Sequence, residues 1–545
     1  VKHYSDKELA KILDRKLFHL IGDTADEVGL ECYVVGGFVR DLFLQRQSND
    51  IDVVTVGSGI ALAEALKNKL GRRAHLSVFR NFGTAQLKFK DIELEFVGAR
   101  KESYSHESRK PVVEDGTLED DQNRRDFTVN ALAICLNANR FGELVDPFDG
   151  LADMEEGILR TPLEPEKTFD DDPLRMMRAV RFACQLNFKI DDETWEAIVK
   201  YADRIKIVSG ERVKDELNKI MLSPSASYGI SQLLECGLLD YILPELTAMN
   251  IVEERNGRKH KNNFLHTLQV LDNVVSAQRK AWEEMAQQND AKQSAAEAGG
   301  NQDADASQKV EDRESGENAA NIDKTENSGK TGEISEEEHE PWALSREYYV
   351  WIRWAALLHD IGKPKSKRWD AQQGWTFYHH EYIGSKMVAG IFRRLTLPLD
   401  AKMKYVEKLV QLHMRPQVIA DNEVTDSAVR RLVNDAGDDI DDLMMLCDAD
   451  ITSKNIQKRE RFHENFRIVR EKIKDLKIRD YKRLLQPCID GNEIMERYGL
   501  KPSREVGELK KCLKDAVLDD RVPNEREPLL KLLDEKAKEM NLAKS

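Results

Sequence analysis

The chain has 545 residues, with 83 Lys and Arg against 98 Asp and Glu and a formal net charge of −15. That length is too great for one ordinary core and fits about three or four domains. An apolar content of 41% supports packed cores, and no apolar run approaches the ~18 residues that a membrane span requires. Residues 283–340 hold 17 Asp and Glu against five Lys and Arg, so the remainder is close to neutral and a local basic face for nucleic acid is not excluded.

At the N-terminus, Val1–Asp6 lacks the apolar stretch of a secretory signal, which gives the expectation of a cytoplasmic protein. Seven cysteines (Cys32, Cys135, Cys184, Cys236, Cys447, Cys488, Cys512) form no C-x-x-C pair and read as reduced thiols. Short β-branched runs alternate with helical stretches over residues 31–150, as in a small α/β domain. From about residue 166 the periodicity is helical. The acidic segment between Trp282 and Trp342 has no aromatic residue and too little apolar surface to offset the entropy of ordering its backbone, so it reads as a disordered insertion.

Val34–Asp41 reads as strand, glycine turn and helix, which lets Gly36 and Gly37 bring backbone N–H groups to a phosphate, with Arg40 as a cation one turn in. A tight turn with a surface arginine explains the same residues. Asp50 and Asp52 are two apart on a strand and point to one face, an arrangement that suits Mg²⁺ with a nucleoside triphosphate; solvated strand-edge pairs look the same. A third carboxylate comes from the strand Ile92–Phe96. Glu95 and Glu93 share a face there, and the sequence does not separate them. Arg124 and Arg125 precede Asp126, which can open a helix; they suit a triphosphate or ribose, or a structural ion pair.

Asp172 and Arg175 are three apart and share a face if helical. A carboxylate acceptor beside a guanidinium donor matches the pairing edges of cytosine and adenine and mismatches uracil and guanine. The plain alternative makes Asp172 an N-cap with Pro173 at the first helical position. Arg178 and Arg181 continue the stripe. Further on, His266, the pair His359-Asp360, His380, His413 and Asp450 are residue types that helical metal sites use.

In this order, the first group of motifs resembles the nucleotidyltransferase head of the tRNA CCA-adding and bacterial poly(A) polymerase family. The resemblance implies that Asp50 and Asp52 hold catalytic Mg²⁺; Glu95 is the expected third carboxylate, on strand alternation alone. It implies that Gly36, Gly37 and Arg40 contact the triphosphate, that Arg124, Arg125 and Asp126 lie near ribose and phosphates, and that Asp172 and Arg175 read the base; Arg178, further along the stripe, is expected to meet nucleotide phosphates, or else to be a solvated side chain. The loop Asp146–Asp153 matches an element that repositions the template, and Glu211–Leu217 a helix that braces it. Asp171 stands where the family commonly has Glu. The second group resembles the HD phosphohydrolase superfamily, which implies core ligands His266, His359, Asp360 and Asp450, with His380 and His413 for a second divalent ion.

The expected fold is an α/β nucleotidyltransferase head, a small mixed sheet with helices, followed by an all-α body that includes an HD-type helical domain. Its expected divisions are a head over 1–150, a helical neck with the template helix over 151–250, an HD domain over 251–480 interrupted by the insertion 283–340, and a helical tail over 481–545. The expected activity is addition of C and A to the tRNA 3′ end from CTP and ATP with release of pyrophosphate. The expected partner is tRNA, held at the acceptor stem and elbow, with no membrane. Phosphatase or 2′,3′-cyclic phosphodiesterase activity in the HD domain is a secondary expectation. The alternatives are a poly(A) polymerase, an enzyme restricted to CC or A addition, and a metal-dependent HD phosphohydrolase with a degenerate head.

Overall fold

The computed structural model describes residues 1–48, 50–105, 108–300, 341–421, 425–452, 455–479, 487–519, 521–540 and 542. Its contacts divide the chain into two units, Val1–Gln269 with Leu357–Gln411, and Val270–Ala356 with Leu412–Ser545. This division runs through the expected 251–480 segment and not along its ends.

The first unit opens with helices α1 (Asp6–Ile12) and α2 (Lys16–Val28). Strand β1 (Glu31–Val35) buries four of its five residues, as its unbroken run of Cys, Tyr and Val requires of a central strand. There follow α3 (Gly37–Phe43), β2 (Asp50–Val56), α4 (Gly59–Leu70), β3 (Ala74–Phe79), β4 (Thr84–Phe89), β5 (Ile92–Gly98), β6 (Arg100–Ser105), β7 (Ser108–Asp115), α5 (Leu118–Asn123), β8 (Ala133–Cys135) and β9 (Leu144–Val145). A seven-stranded sheet has the order β3-β4-β5-β2-β1-β8-β9, and β6 pairs with β7 in a separate hairpin. Within the sheet β2 and β5 run parallel while the remaining neighbours are antiparallel. The crossover between β2 and β5 carries α4, whose N-cap Ser58 accepts a hydrogen bond from Ala61 N and whose Leu62, Ala63 and Leu66 are buried. The mixed α/β head is therefore present.

Helical structure then takes over with α6 (Gly150–Glu156), a short parallel pair of β10 (Ile158–Leu159) and β11 (Lys189–Ile190), α7 (Pro165–Asp171), α8 (Leu174–Leu186), α9 (Asp192–Tyr201) and α10 (Gly210–Leu222). Helix α8 is buried on nearly every side, including Arg175 and Arg181. Two further hairpins, 254–259 and 368–376, and the helix His380–Arg394 also belong to this unit.

The second unit is helical among the described residues apart from its turns. Ile494, Tyr498, Leu509, Leu513, Leu529 and Leu533 form a core in its C-terminal part, where Arg497 and the Tyr498 hydroxyl meet Asp534. The helix Asn263–Gly300 continues through 283–300, which the sequence reading gave to the insertion. That stretch is rich in Ala, Gln and Glu, good helix formers, and low apolar content does not prevent a helix from propagating once packing has nucleated it upstream. Residues 301–340 lie outside the described residues.

Candidate active site

The parallel pairing of β2 and β5 sets Asp50 beside Glu93 and Asp52 beside Glu95. The structure separates the two glutamates that the sequence left open. Glu93 faces Lys88 across the β4–β5 ladder, with an ion pair of 2.5 Å, whereas Glu95 sits in the field of Asp52 and Asp50. Desolvation, then Asp52 and Asp50, raise the Glu95 carboxyl above its ordinary range. Burial does the same to Asp52; Arg125 opposes it, while Asp50 and Asp121 reinforce it. Together with Asp50, these two carboxylates form an oxygen-rich set suited to a hard cation.

Gly36 forms the opposite wall. Its φ of +73° favours glycine, and a Cβ there would lie 3.1 Å from Arg125 Nη1 and 3.4 Å from Asp52 Oδ2. The strand–turn–helix expected around it is present, but two of the expected phosphate contacts are already engaged. The Gly36 N–H donates to the Leu132 carbonyl at 3.3 Å. Arg40 is buried, with Nε and Nη2 on Asp41 at 2.9 and 2.8 Å and Nη1 on Asn130 at 2.8 Å. It braces the turn from within and is not a surface cation.

Arg124 and Arg125 share one anchor that sequence reasoning missed. Asp121, fully buried at the end of α5, accepts from Arg124 Nε at 2.9 Å and from Arg125 Nε and Nη2 at 3.2 and 2.9 Å. Its signal was the spacing of three and four residues before the arginines, where helical side chains meet. Asp126 does not open an α-helix; a 3₁₀ turn, Thr128–Asn130, follows it. Its buried carboxylate accepts from Arg178 Nε at 2.7 Å and Asn130 Nδ2 at 3.0 Å. Burial alone would raise this carboxyl, but Arg178 and Asn130 outweigh it and hold it down at about 2. Arg178 thus spends part of its guanidinium on Asp126. Arg40, Arg178 and Arg181 gather around the Phe182 ring at 5.2, 5.5 and 3.9 Å.

Asp172 and Arg175 do not share a helix face as expected. Helix α8 begins at Leu174, with Pro173 as its N-cap, and Asp172 is extended at φ −138° and ψ 96°. A residue before proline is pushed out of the helical region by the proline Cδ. The two residues still stay within one turn, because the Arg175 N–H donates to the Asp172 carbonyl at 3.0 Å. Asp172 Oδ1 accepts from Leu174 N at 3.2 Å and Oδ2 from Arg212 at 2.8 Å, and Arg175 Nη2 donates to the Arg124 carbonyl at 2.6 Å. Helix α10 braces this region through Arg212 and through Glu216, which is buried and lies 2.6 Å from Arg181. The Asp146–Asp153 loop is folded, with Asp146 accepting from the N–H groups of Gly150 and Leu151 and Thr128 donating to Asp153.

A second cluster lies elsewhere in this unit. Asp360 is 1% exposed, with His266, His359 and His380 ring nitrogens at 3.5, 3.3 and 3.2 Å and Lys363 Nζ at 2.5 Å. Burial would raise the Asp360 carboxyl, yet His359 and Lys363 hold it well below the usual range. Gly362 makes this convergence possible, since a Cβ there would lie 2.1 Å from the His380 carbonyl oxygen. Three imidazoles around one buried carboxylate are a donor set that fits a transition-metal ion. His413 and Asp450, the other two ligands implied by resemblance, belong to the second unit. His413 is buried and its carbonyl accepts from the Cys447 thiol at 3.0 Å, while Asp450 ends the helix Ile440–Asp450.

Comparison with known proteins bears on both clusters. Residues 32–160 match the poly A polymerase head domain, 187–250 the probable RNA and SrmB-binding site of polymerase A, and 331–455 the HD domain. Each model covers a part of the chain and describes that part alone. The chain is 40% identical over 194 residues to the A-adding tRNA nucleotidyltransferase of Aquifex aeolicus, covering 36% of this chain and 23% of that protein. To the CCA-adding enzyme of Anoxybacillus flavithermus it is 37% identical over 228 residues, covering 42% and 55%. The matched region thus spans about a quarter of the first relative and about half of the second. Among solved structures, the Thermotoga maritima CCA-adding enzyme complexed with tRNA has the same fold, with a TM-score of 0.54, 20% identity and coverage of 98% and 99%. No helix among the described residues is long and apolar enough to cross a membrane.

Proposed function

We propose that the chain transfers cytidylate and adenylate from CTP and ATP to the 3′ end of tRNA, releasing pyrophosphate in the cytoplasm. The observation that carries this reading is the register of β2 on β5, which puts Asp50, Asp52 and Glu95 in one field opposite Arg125 and Gly36. Relatives named for CCA addition and for A addition support the reaction class, and structural relatives titled as tRNA complexes support the partner.

Asp50 and Asp52, with Glu95 beside them, would hold Mg²⁺. Such ions would supply acidification of the RNA 3′-hydroxyl and charge neutralisation for the pyrophosphate leaving group. Asp121 keeps Arg124 and Arg125 extended toward the triphosphate, and Gly36 leaves the space beside Asp52 open. Asp172 accepts from the amino group that C and A share, and Arg175 donates to their ring nitrogen. Asp126 holds Arg178 behind them. The tRNA is held by its acceptor stem and elbow through shape and phosphate contacts, without reading of its sequence.

In the second cluster, His266, His359, Asp360 and His380 would hold a divalent ion and support phosphoester hydrolysis. Incubation of the protein with tRNA ending before CCA, and with CTP and ATP singly and together, tests the main reading. Three added nucleotides with both substrates support it, and long oligo(A) from ATP alone rejects it. The A-adding relatives favour a second reading, restricted A addition. In that case only tRNA already ending in CC is extended, and by one residue.

A further inference from the structure

The strand register that assembles the acidic set also extends its face sideways. Asp52 on β2 pairs with Glu95 on β5, Glu95 with Gln86 on β4, and Gln86 with Ser77 on β3. Residues directly opposite one another in a ladder point to one side of the sheet, so these four side chains form a row on the face that carries Asp50. Helix α4 packs against the other face, where Ala85, Leu87, Leu94 and Phe96 are buried. On the acidic face Glu95 and Ser77 are exposed and Gln86 is half-buried. Among the described residues the Gln86 amide has no hydrogen-bond partner, whereas Lys88, two residues on, is paired with Glu93. A primary amide offers N–H donors and a carbonyl acceptor together. Partly desolvated and unpaired, it gains most from a ligand group that both donates and accepts, and a hydroxyl is such a group.

The side of the acidic set on which Gln86 lies decides which substrate brings that hydroxyl. Gly36 follows β1, the neighbour of β2 away from β5, and Arg125 stands beside it. Arg175 donates to the Arg124 carbonyl, so the base-reading pair belongs to the same side. In the transfer reading, the nucleoside triphosphate and its departing pyrophosphate therefore lie toward β1. In-line displacement puts the attacking oxygen opposite the leaving group. The RNA 3′-hydroxyl then arrives from the other side, over Glu95. Neighbouring strands are ~4.8 Å apart, so Gln86, one strand beyond Glu95, lies within reach of the ribose that carries the attacking oxygen.

We propose that Gln86 binds the 2′-hydroxyl of the 3′-terminal ribose of the RNA acceptor and so selects a ribonucleotide end over a deoxyribonucleotide end. This rests on the transfer reading of the acidic set and adds to it the residue that recognises the acceptor end.

The experiment is single-turnover addition of AMP from ATP, with Mg²⁺, to tRNA ending in CC whose terminal cytidine is either ribo or 2′-deoxy, by wild type, Gln86→Met and Gln86→Ala. That step belongs to full CCA addition and to restricted A addition alike. Wild type is expected to extend the ribo end at least about tenfold faster than the deoxy end, and both variants to lower that ratio to about twofold or less, chiefly by slowing the ribo substrate. Gln86→Met keeps the length of the side chain and removes its donors and acceptor, so its melting temperature is expected to match wild type. A merely structural role for Gln86 slows both ends equally and keeps the ratio at the wild-type value, which overturns the proposal, as does a wild type that does not discriminate. Ser77→Ala, one strand farther out, is expected to keep the wild-type ratio; loss of the ratio there and not at Gln86 overturns the assignment. If wild type extends neither tRNA, the transfer reading itself fails. If it extends them and the ratio survives in the Gln86 variants, the transfer reading stands and only the role of Gln86 falls.

Discussion

At the scale of single residues, the account turns on charges that the fold makes costly. Asp52 is raised because its ionised form is desolvated and faces Asp50 and Asp121, so at neutral pH the folded state pays for that charge. Asp52→Asn therefore raises the melting temperature of metal-free protein at pH 7.5 while lowering nucleotide incorporation by at least about 10³-fold. A lower melting temperature would contradict the argument. Asp121 works in the opposite sense, since it is buried with two arginines. Asp121→Asn leaves them without their counter-charge, which costs about 3–5 kcal/mol in urea unfolding and about 10²-fold in kcat/KM for nucleotide. Asp126 sets an acid limit on stability. Its folded pKa of about 2 lies below the ordinary 3.8, so the stabilisation is complete above about pH 4 and is lost as pH falls toward 2, amounting to about 2 kcal/mol. Acid unfolding of Asp126→Asn has less of that slope.

At the scale of elements, the site is made by register and by bracing. The strands were legible in the sequence because β-branched runs with glycine punctuation have few other solutions, and Gly36 marked its turn. Glu95 was not separable from Glu93, since face alternation treats them alike; only pairing with β2 on one side and Lys88 on the other distinguishes them. Spacing also misplaced Asp172, because three-residue separation implies a shared helix only if both residues are helical, and Pro173 holds Asp172 outside. Arg40 read as a phosphate-contacting cation, with a surface arginine as the alternative, and its burial was not legible, because contact with Phe182 and pairing with Asn130 depend on segments far along the chain. The bracing is testable at Arg212, whose partner is the Asp172 carboxylate. Arg212→Ala frees that carboxylate to rotate, so the preference for CTP over UTP drops about tenfold in competition assays. Unchanged selectivity would remove Arg212 from base recognition.

At the scale of the whole chain, one polypeptide carries matches to a poly A polymerase head domain and to an HD domain, and the acidic bias is concentrated in 283–340. Composition did not show that 283–300 is helical, since helix propagation through it depends on nucleation in the apolar residues before it. Replacing 301–340 by a short Gly-Ser linker is expected to leave nucleotide incorporation intact and the unfolding free energy within about 0.5 kcal/mol, because that sequence has no aromatic residue to contribute to a core. The central claim is that the acidic set on β2 and β5 carries metal-assisted nucleotidyl transfer to RNA. The most direct measurement is the incorporation of labelled CTP and ATP into tRNA lacking its terminal CCA, with Mg²⁺, by wild type and Asp52→Asn side by side. The account predicts extension of the tRNA by wild type and almost none by the variant; equal extension by both, or none by wild type, would contradict it.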